Sequence, residues 1–181
     1  YNVTNGVTML IMTATTGSEA YFGNMIAKGE RKNLERSFSR IEWLMHFAVA
    51  VIFTIAAITV VPFISVYTRG INDADYIVPL FSTILMLAYA VRCLRIPYFV
   101  VIKAAGHFRE TQNGAFISTA LNVVISIALV FKFGLLGIAF GTFVAMLYHT
   151  VYFVLYLRSH ILNRSIWHFV KHFLTDIVIL S

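Results

Sequence analysis

Arg92 and Arg95 interrupt an apolar run that extends from Ile77 to Ile102, with Pro97 close behind them. Residues three apart are neighbours on one helix face, so the two guanidinium groups would act together. Planar, permanently charged forks of this kind suit phosphate and carboxylate groups. The chemistry on offer is capture of an anion by a cationic lining. A second reading has both side chains reach along the helix to headgroups at a membrane surface. Residue types alone leave the two open.

Three further sets invite the same question. Glu19 is an acid within an otherwise weakly apolar stretch, on a helix face near Thr8, Thr15 and Gly23. It could hold a coupling ion, pair with an arginine, or make a structural hydrogen bond. Thr111, Ser118, Asn122 and Ser126 recur at helical spacing and form either a wet pathway or polar glue between helices. Asn122 and Ser126 therefore join Arg92, Arg95 and Glu19 as candidate substrate-binding residues. His168, His172 and Asp176 are successively four apart, but no fourth ligand is in view and closed zinc sites have four. An interfacial polar stripe explains them more simply, and no metal is expected. His46 and His149 are expected to pack within spans. The sequence has no GxSxG, HExxH or phosphate-binding glycine loop and no nucleophile–base pair, so an enzyme is not expected.

The elements that must position these residues are long apolar helices. The chain of 181 residues is 59% hydrophobic and 12% charged, more apolar surface than a soluble domain of this size can cover. A bilayer-spanning helix needs about 20 mostly apolar residues. Phe47–Val66, Ile77–Val91, Ala115–Phe131 and Leu135–Leu157 supply them, and Val7–Ala27 is a weaker fifth, interrupted by threonines and Glu19. The expected fold class is all-α integral membrane: one domain over 1–181, with spans near 6–27, 43–66, 77–100, 112–131 and 135–157. An amphipathic interfacial helix is expected over 161–181, where Ile166, Phe169, Val170, Phe173, Leu174 and Ile177 repeat at helical spacing. Tyr1 in place of Met, and a final residue inside an apolar-periodic stretch, give the expectation of a piece of a larger polytopic protein.

Charge orients the spans. The net charge is +6, and the bases lie in connections rather than in one patch, which argues for cytoplasmic loops and against nucleic acid. Lys28–Arg40, Lys103–Glu110 and Arg158–Lys171 are basic; Thr68–Tyr76 and Lys132–Gly134 are not. The alternation puts Tyr1 outside and Arg158 inside, across five crossings. Entering from Tyr76, Arg92 lies about 24 Å down its helix, deep and nearer the inner leaflet. Cys93 is the lone cysteine, so no internal disulfide or thiol metal site forms.

Two connections carry a family resemblance. The run Lys103-Ala-Ala-Gly106-His-Phe108-Arg-Glu-Thr111-Gln112 and the run Phe133-Gly-Leu-Leu-Gly137-Ile-Ala-Phe-Gly141-Thr142 follow Arg95-Ile96-Pro97 in order, with Asn122 between them. Together with Ala27-Lys-Gly-Glu30 before a basic helix, they resemble the later part of bacterial Wzx-type polysaccharide flippases of the multidrug/oligosaccharidyl-lipid/polysaccharide exporter superfamily. The resemblance runs from about Gly17 to Arg158. It implies two pseudo-symmetric bundles, of which this chain would hold part of the second and need the remaining half as partner. It also implies alternating access, an inner cell membrane, and an anionic undecaprenyl-pyrophosphate-linked oligosaccharide as substrate. No bound cofactor is implied; coupling to H+ or Na+ is left open. A drug or metabolite antiporter of the same superfamily is the nearest rival and would lean on Glu19. A polysaccharide polymerase or ligase would need larger outer loops than Thr68–Tyr76 and Lys132–Gly134.

Overall fold

A computed structural model describes residues 17–67 and 79–162, together with 6, 8, 9, 12, 13 and 15. Among these residues the secondary structure is helical throughout, with no strand: α1 Ser18–Ala27, α2 Arg31–Tyr67, α3 Pro79–Leu94, α4 Ile96–Ala104, α5 Phe108–Phe133 and α6 Leu135–Leu157, the last running into a π-helical turn Arg158–Leu162. Four helical segments are long and apolar enough to cross a membrane: Arg31–Val66, Pro79–Ala104, Phe108–Phe133 and Leu135–Leu162. The acidic connection at 68–76 and the tail with His168, His172 and Asp176 lie outside the described residues.

Several boundaries differ from the sequence expectation. The basic stretch Lys28–Arg40 is helical from Arg31 onward rather than a loop. Lysine, arginine and glutamate favour helix, and only Lys28, Gly29 and Glu30 remain as a turn. Gly29 allows that turn at φ 69°, while the Glu30 N–H donates to the Met25 carbonyl. The 37 residues of α2 extend about 55 Å, so its charged first turns project beyond a hydrocarbon core about 30 Å thick. Before α1 the helical path is broken at Gly17, where φ is 105°. Helix α1 itself has 10 residues, short of the roughly 20 a crossing requires. A continuous helix face from Thr8 to Gly23 is therefore not formed.

The third correction matters most. The run expected as one span over 77–100 is two helices, α3 and α4, with Arg95 in the turn between them. Pro97 has no N–H to continue the ladder, and the Arg95 N–H closes a tighter turn onto the Arg92 carbonyl at 3.2 Å. This broken span is the most enclosed of the four. Its core side chains Met86, Tyr89, Cys93, Leu94, Tyr98, Val101 and Ile102 pack against Phe38, Met45, Val49 and Phe53 of α2 and against Phe153, Val154 and Leu157 of α6.

Helices α5 and α6 form the closest pair, joined through Gly134. Most of α5 faces outward, with Phe116, Val124 and Phe131 well exposed. An apolar outer face of this kind is what a lipid-facing or partner-facing helix presents. The connection between α4 and α5 turns at Gly106, at φ 78°, and the His107 ring is fixed by Tyr156 at 2.9 Å.

Candidate functional site

The break between α3 and α4 opens a cavity of about 200 Å³. Arg92, Arg95, Ile96 and Phe99 form one wall, and Phe108, Thr111, Gln112 and Ala115 of α5 form another. His149 and Phe153 of α6, with Thr8 and Met12, complete the lining. Phe108, Thr111 and Gln112 belong to the connection motif that carries the family resemblance. The sequence therefore places that motif against the two arginines.

Local structure fixes both arginines. The Arg92 guanidinium lies over the Tyr89 ring of its own helix, and that of Arg95 over Phe153 of α6, each 5.7 Å from the ring centroid. Contacts at this distance are cation–π interactions. Thr150 donates to the Val91 carbonyl at 3.2 Å, holding α6 against the end of α3. Thr8 meets the Cys93 thiol at 3.7 Å on the opposite side. The Nη1 atom of Arg95 is buried and has no hydrogen-bond partner among the described residues, and the same is true of Nε2 of His149. Both residues line the cavity. Well over nine in ten buried backbone groups, and most buried side-chain polar atoms, are hydrogen-bonded, so two such nitrogens in one cavity are conspicuous. The arrangement can take an anion with several acceptor oxygens.

The other candidates sit elsewhere. Glu19, at the start of α1, pairs with Lys103 at 3.1 Å, and both side chains are nearly half exposed. It meets neither arginine and lines no part of the cavity. Asn122 and Ser126 lie between α5 and α6: Ser126 donates to the Asn122 carbonyl oxygen at 3.1 Å, and Thr142 reaches the same oxygen at 3.4 Å. Ser118, from the same stripe, donates to the Ala145 carbonyl at 2.9 Å. Thr111 is the one member that reaches the cavity, and its hydroxyl is used on the His107 and Phe108 carbonyls, each at 3.1 Å. Of the five candidate residues, only Arg92 and Arg95 line the cavity; Asn122 and Ser126 meet each other between α5 and α6.

One polar group escaped the sequence reading, beside a histidine that packs within its span as expected. Glu42 is 4% exposed within α2 and accepts a hydrogen bond from the Tyr98 hydroxyl of α4. His46, one turn further along α2, is 3% exposed. The signal was present as an acid and a histidine four apart on the face that also carries Phe38, Met45 and Val49. The span expected over 43–66 began one residue too late to include the acid. His149 was expected to be packing alone; it packs edge-on to Phe153 at 4.8 Å and also lines the cavity. Among the described residues no cluster of three metal-ligating side chains occurs.

The chain matches no family model, no curated protein and no solved structure. The resemblance drawn from its connection motifs therefore stands on those motifs alone.

Proposed function

We propose that this chain is part of a membrane transporter that moves a lipid-linked oligosaccharide from the inner to the outer leaflet by alternating access. In this reading the four long apolar helices cross an inner cell membrane. The basic connections beginning at Lys28, Lys103 and Arg158 face the cytoplasm. The observation that carries the proposal is the pair Arg92 and Arg95 on one cavity inside an apolar span, with Arg95 Nη1 buried and without a hydrogen-bond partner among the described residues. A phosphate-bearing headgroup cannot cross hydrocarbon bare. Fixed guanidinium groups give it a charged way-station at a depth where water is scarce. In this reading the station lies toward the basic ends of the helices, where such a substrate would be loaded.

One observation favours the antiporter reading. Glu42 is a buried carboxylate in an apolar helix, the kind of residue that carries a coupling proton or cation in membrane transporters. Glu19, exposed and paired with Lys103, does not fit that role.

One experiment weighs both. Cells whose only copy of the full-length protein carries Arg92→Gln and Arg95→Gln should accumulate lipid-linked repeat units on the inner leaflet and lose surface glycan, with insertion unchanged. Normal export in that strain would falsify the flippase reading. Loss of drug or metabolite efflux in Glu42→Gln, with glycan export intact, would replace it by the antiporter.

A further inference from the structure

We propose that the outward face of α2 binds one anionic phospholipid of the surrounding bilayer, with the lipid phosphate on Arg36 and Arg40 and its glycerol and upper acyl chain on Trp43 and Phe47. The inference rests on the reading of α2 as a membrane span and is independent of what the arginine cavity carries.

The pattern of the face is the first support. Lys32, Arg36, Arg40, Trp43, Phe47 and Ile58 are all exposed, and at 3.6 residues per turn they fall within about a quarter of the helix circumference. The core side chains Phe38, Met45, Val49 and Phe53 occupy the other side. Along the helix this stripe passes from basic through aromatic to aliphatic without reversal. The Trp43 and Phe47 rings lie nearly parallel, 6.0 Å apart at 9°, so the aromatic step is one continuous patch.

Length is the second. From Trp43 to Val66 the helix rises about 35 Å, enough to cross a hydrocarbon core about 30 Å thick. Trp43 then lies at the border of the core, the level at which tryptophan is enriched in membrane proteins. Arg40 and Arg36 follow about 5 and 10 Å further along the axis, at the level of the headgroups.

Charge is the third. Among the described residues Lys32, Arg36 and Arg40 make no ion pair and no hydrogen bond. The acids of the chain are committed elsewhere: Glu19 to Lys103, Glu30 to the Asn33 amide, and Glu42 to Tyr98 in the core. Glu35 is half-buried, more than a quarter-turn from Arg36. Asp73 and Asp75 follow the opposite end of α2 in sequence, and the stretch beyond Leu162 sets one acid, Asp176, against Arg164 and Lys171. The chain therefore has little to offer these bases, and the anion they match comes from outside it. Two arginine forks one turn apart suit a phosphate. An anionic phospholipid brings that phosphate with its charge uncancelled, whereas a zwitterionic one brings an ammonium group that the bases repel.

The test reads Trp43 fluorescence in the full-length protein in phosphatidylcholine vesicles, taken as the difference from Trp43→Phe. Chain-brominated phosphatidylglycerol or chain-brominated phosphatidylcholine is the quencher. Wild type should be quenched by the phosphatidylglycerol at a mole fraction about tenfold or more lower, since each base near an anionic headgroup contributes a factor of about five. Arg36→Gln with Arg40→Gln should bring the two lipids level. Arg36→Lys with Arg40→Lys should keep most of the preference, and Arg158→Gln, on another connection, should leave it unchanged. The preference is a ratio on one protein, so a partly folded variant does not imitate its loss. Equal quenching by the two lipids in wild type overturns the anionic site. So does an equal loss of preference in Arg158→Gln, which makes the attraction a property of the whole basic surface. Ile58→Trp in the Trp43→Phe background separates these failures from failure of the span, because Ile58 is 71% exposed on the same face. Quenching at 58 without quenching at 43 means that protein covers Trp43, which overturns the lipid site and leaves the span standing. No quenching at either position overturns the span reading itself.

Discussion

Two sets of polar side chains lie within the apolar helices, and they end differently. Between α5 and α6, Ser118, Asn122, Ser126 and Thr142 bond to one another or to backbone carbonyls. At the break between α3 and α4, Arg95 and His149 each keep a buried nitrogen without a hydrogen-bond partner among the described residues. Helix contact explains the first set. Gly137 and Gly141 bring the α6 backbone so close to Leu129 and Ser126 that no water or ligand fits between. The second set surrounds a cavity. Polarity inside a membrane helix is thus a poor guide to a binding site. Whether the donors are already satisfied is a better one, because only unsatisfied donors gain by taking a ligand.

That contrast can be broken at three points. The largest effect is expected from Gly137→Leu. A Cβ there would already lie 2.6 Å from the Leu129 carbonyl oxygen, and overpacking of this kind costs about 3 kcal/mol or more. The variant should fail to give a monodisperse peak in fluorescence-detected size exclusion. A normal peak with a normal melting temperature would remove the packing role of the stripe. Next comes Arg95→Met, which keeps the length of the side chain and removes its charge. Removing an unsatisfied buried donor should leave stability unchanged or raise it by about 1–3 kcal/mol, while anion binding is lost. A thermal melt in detergent beside a binding assay checks both halves, and a lowered melting temperature would make Arg95 a structural residue. The smallest is Ser118→Ala, which deletes one interhelical hydrogen bond. Such bonds average about 0.6 kcal/mol in membranes, so a shift of about a degree with unaltered transport is the expected outcome. A large loss of transport there would move the pathway to the α5–α6 face.

The helices themselves were legible from hydropathy, since four apolar runs map onto four long helical segments. Their ends were less so. Charged residues such as Arg31, Lys32 and Arg36 look like loop in a hydropathy reading, yet they are good helix formers and extend α2 beyond its apolar stretch. The pairing of Arg92 and Arg95 followed from their spacing, and Pro97 was the only local hint that the span breaks beside them. What sequence could not supply was the facing wall. His149 lies more than fifty residues away on another helix, and nothing in its neighbourhood distinguishes it from a packed histidine such as His46. Glu19 illustrates the same limit in reverse: its partner Lys103 is 84 residues away, so an acid that looked intramembrane is an exposed half of an ion pair. Pairs of that kind contribute little to stability.

The two pieces of the broken span are fastened to different neighbours. Below the break, Tyr98 of α4 is tied to Glu42 of α2. Above it, the Val91 carbonyl of α3 is tied to Thr150 of α6. The six residues between these two fastenings contain both arginines. Side-chain hydrogen bonds thus pin the charged segment at both ends, to α6 on one side and to α2 on the other. The pocket's two arginines are carried on a stretch clamped from two directions.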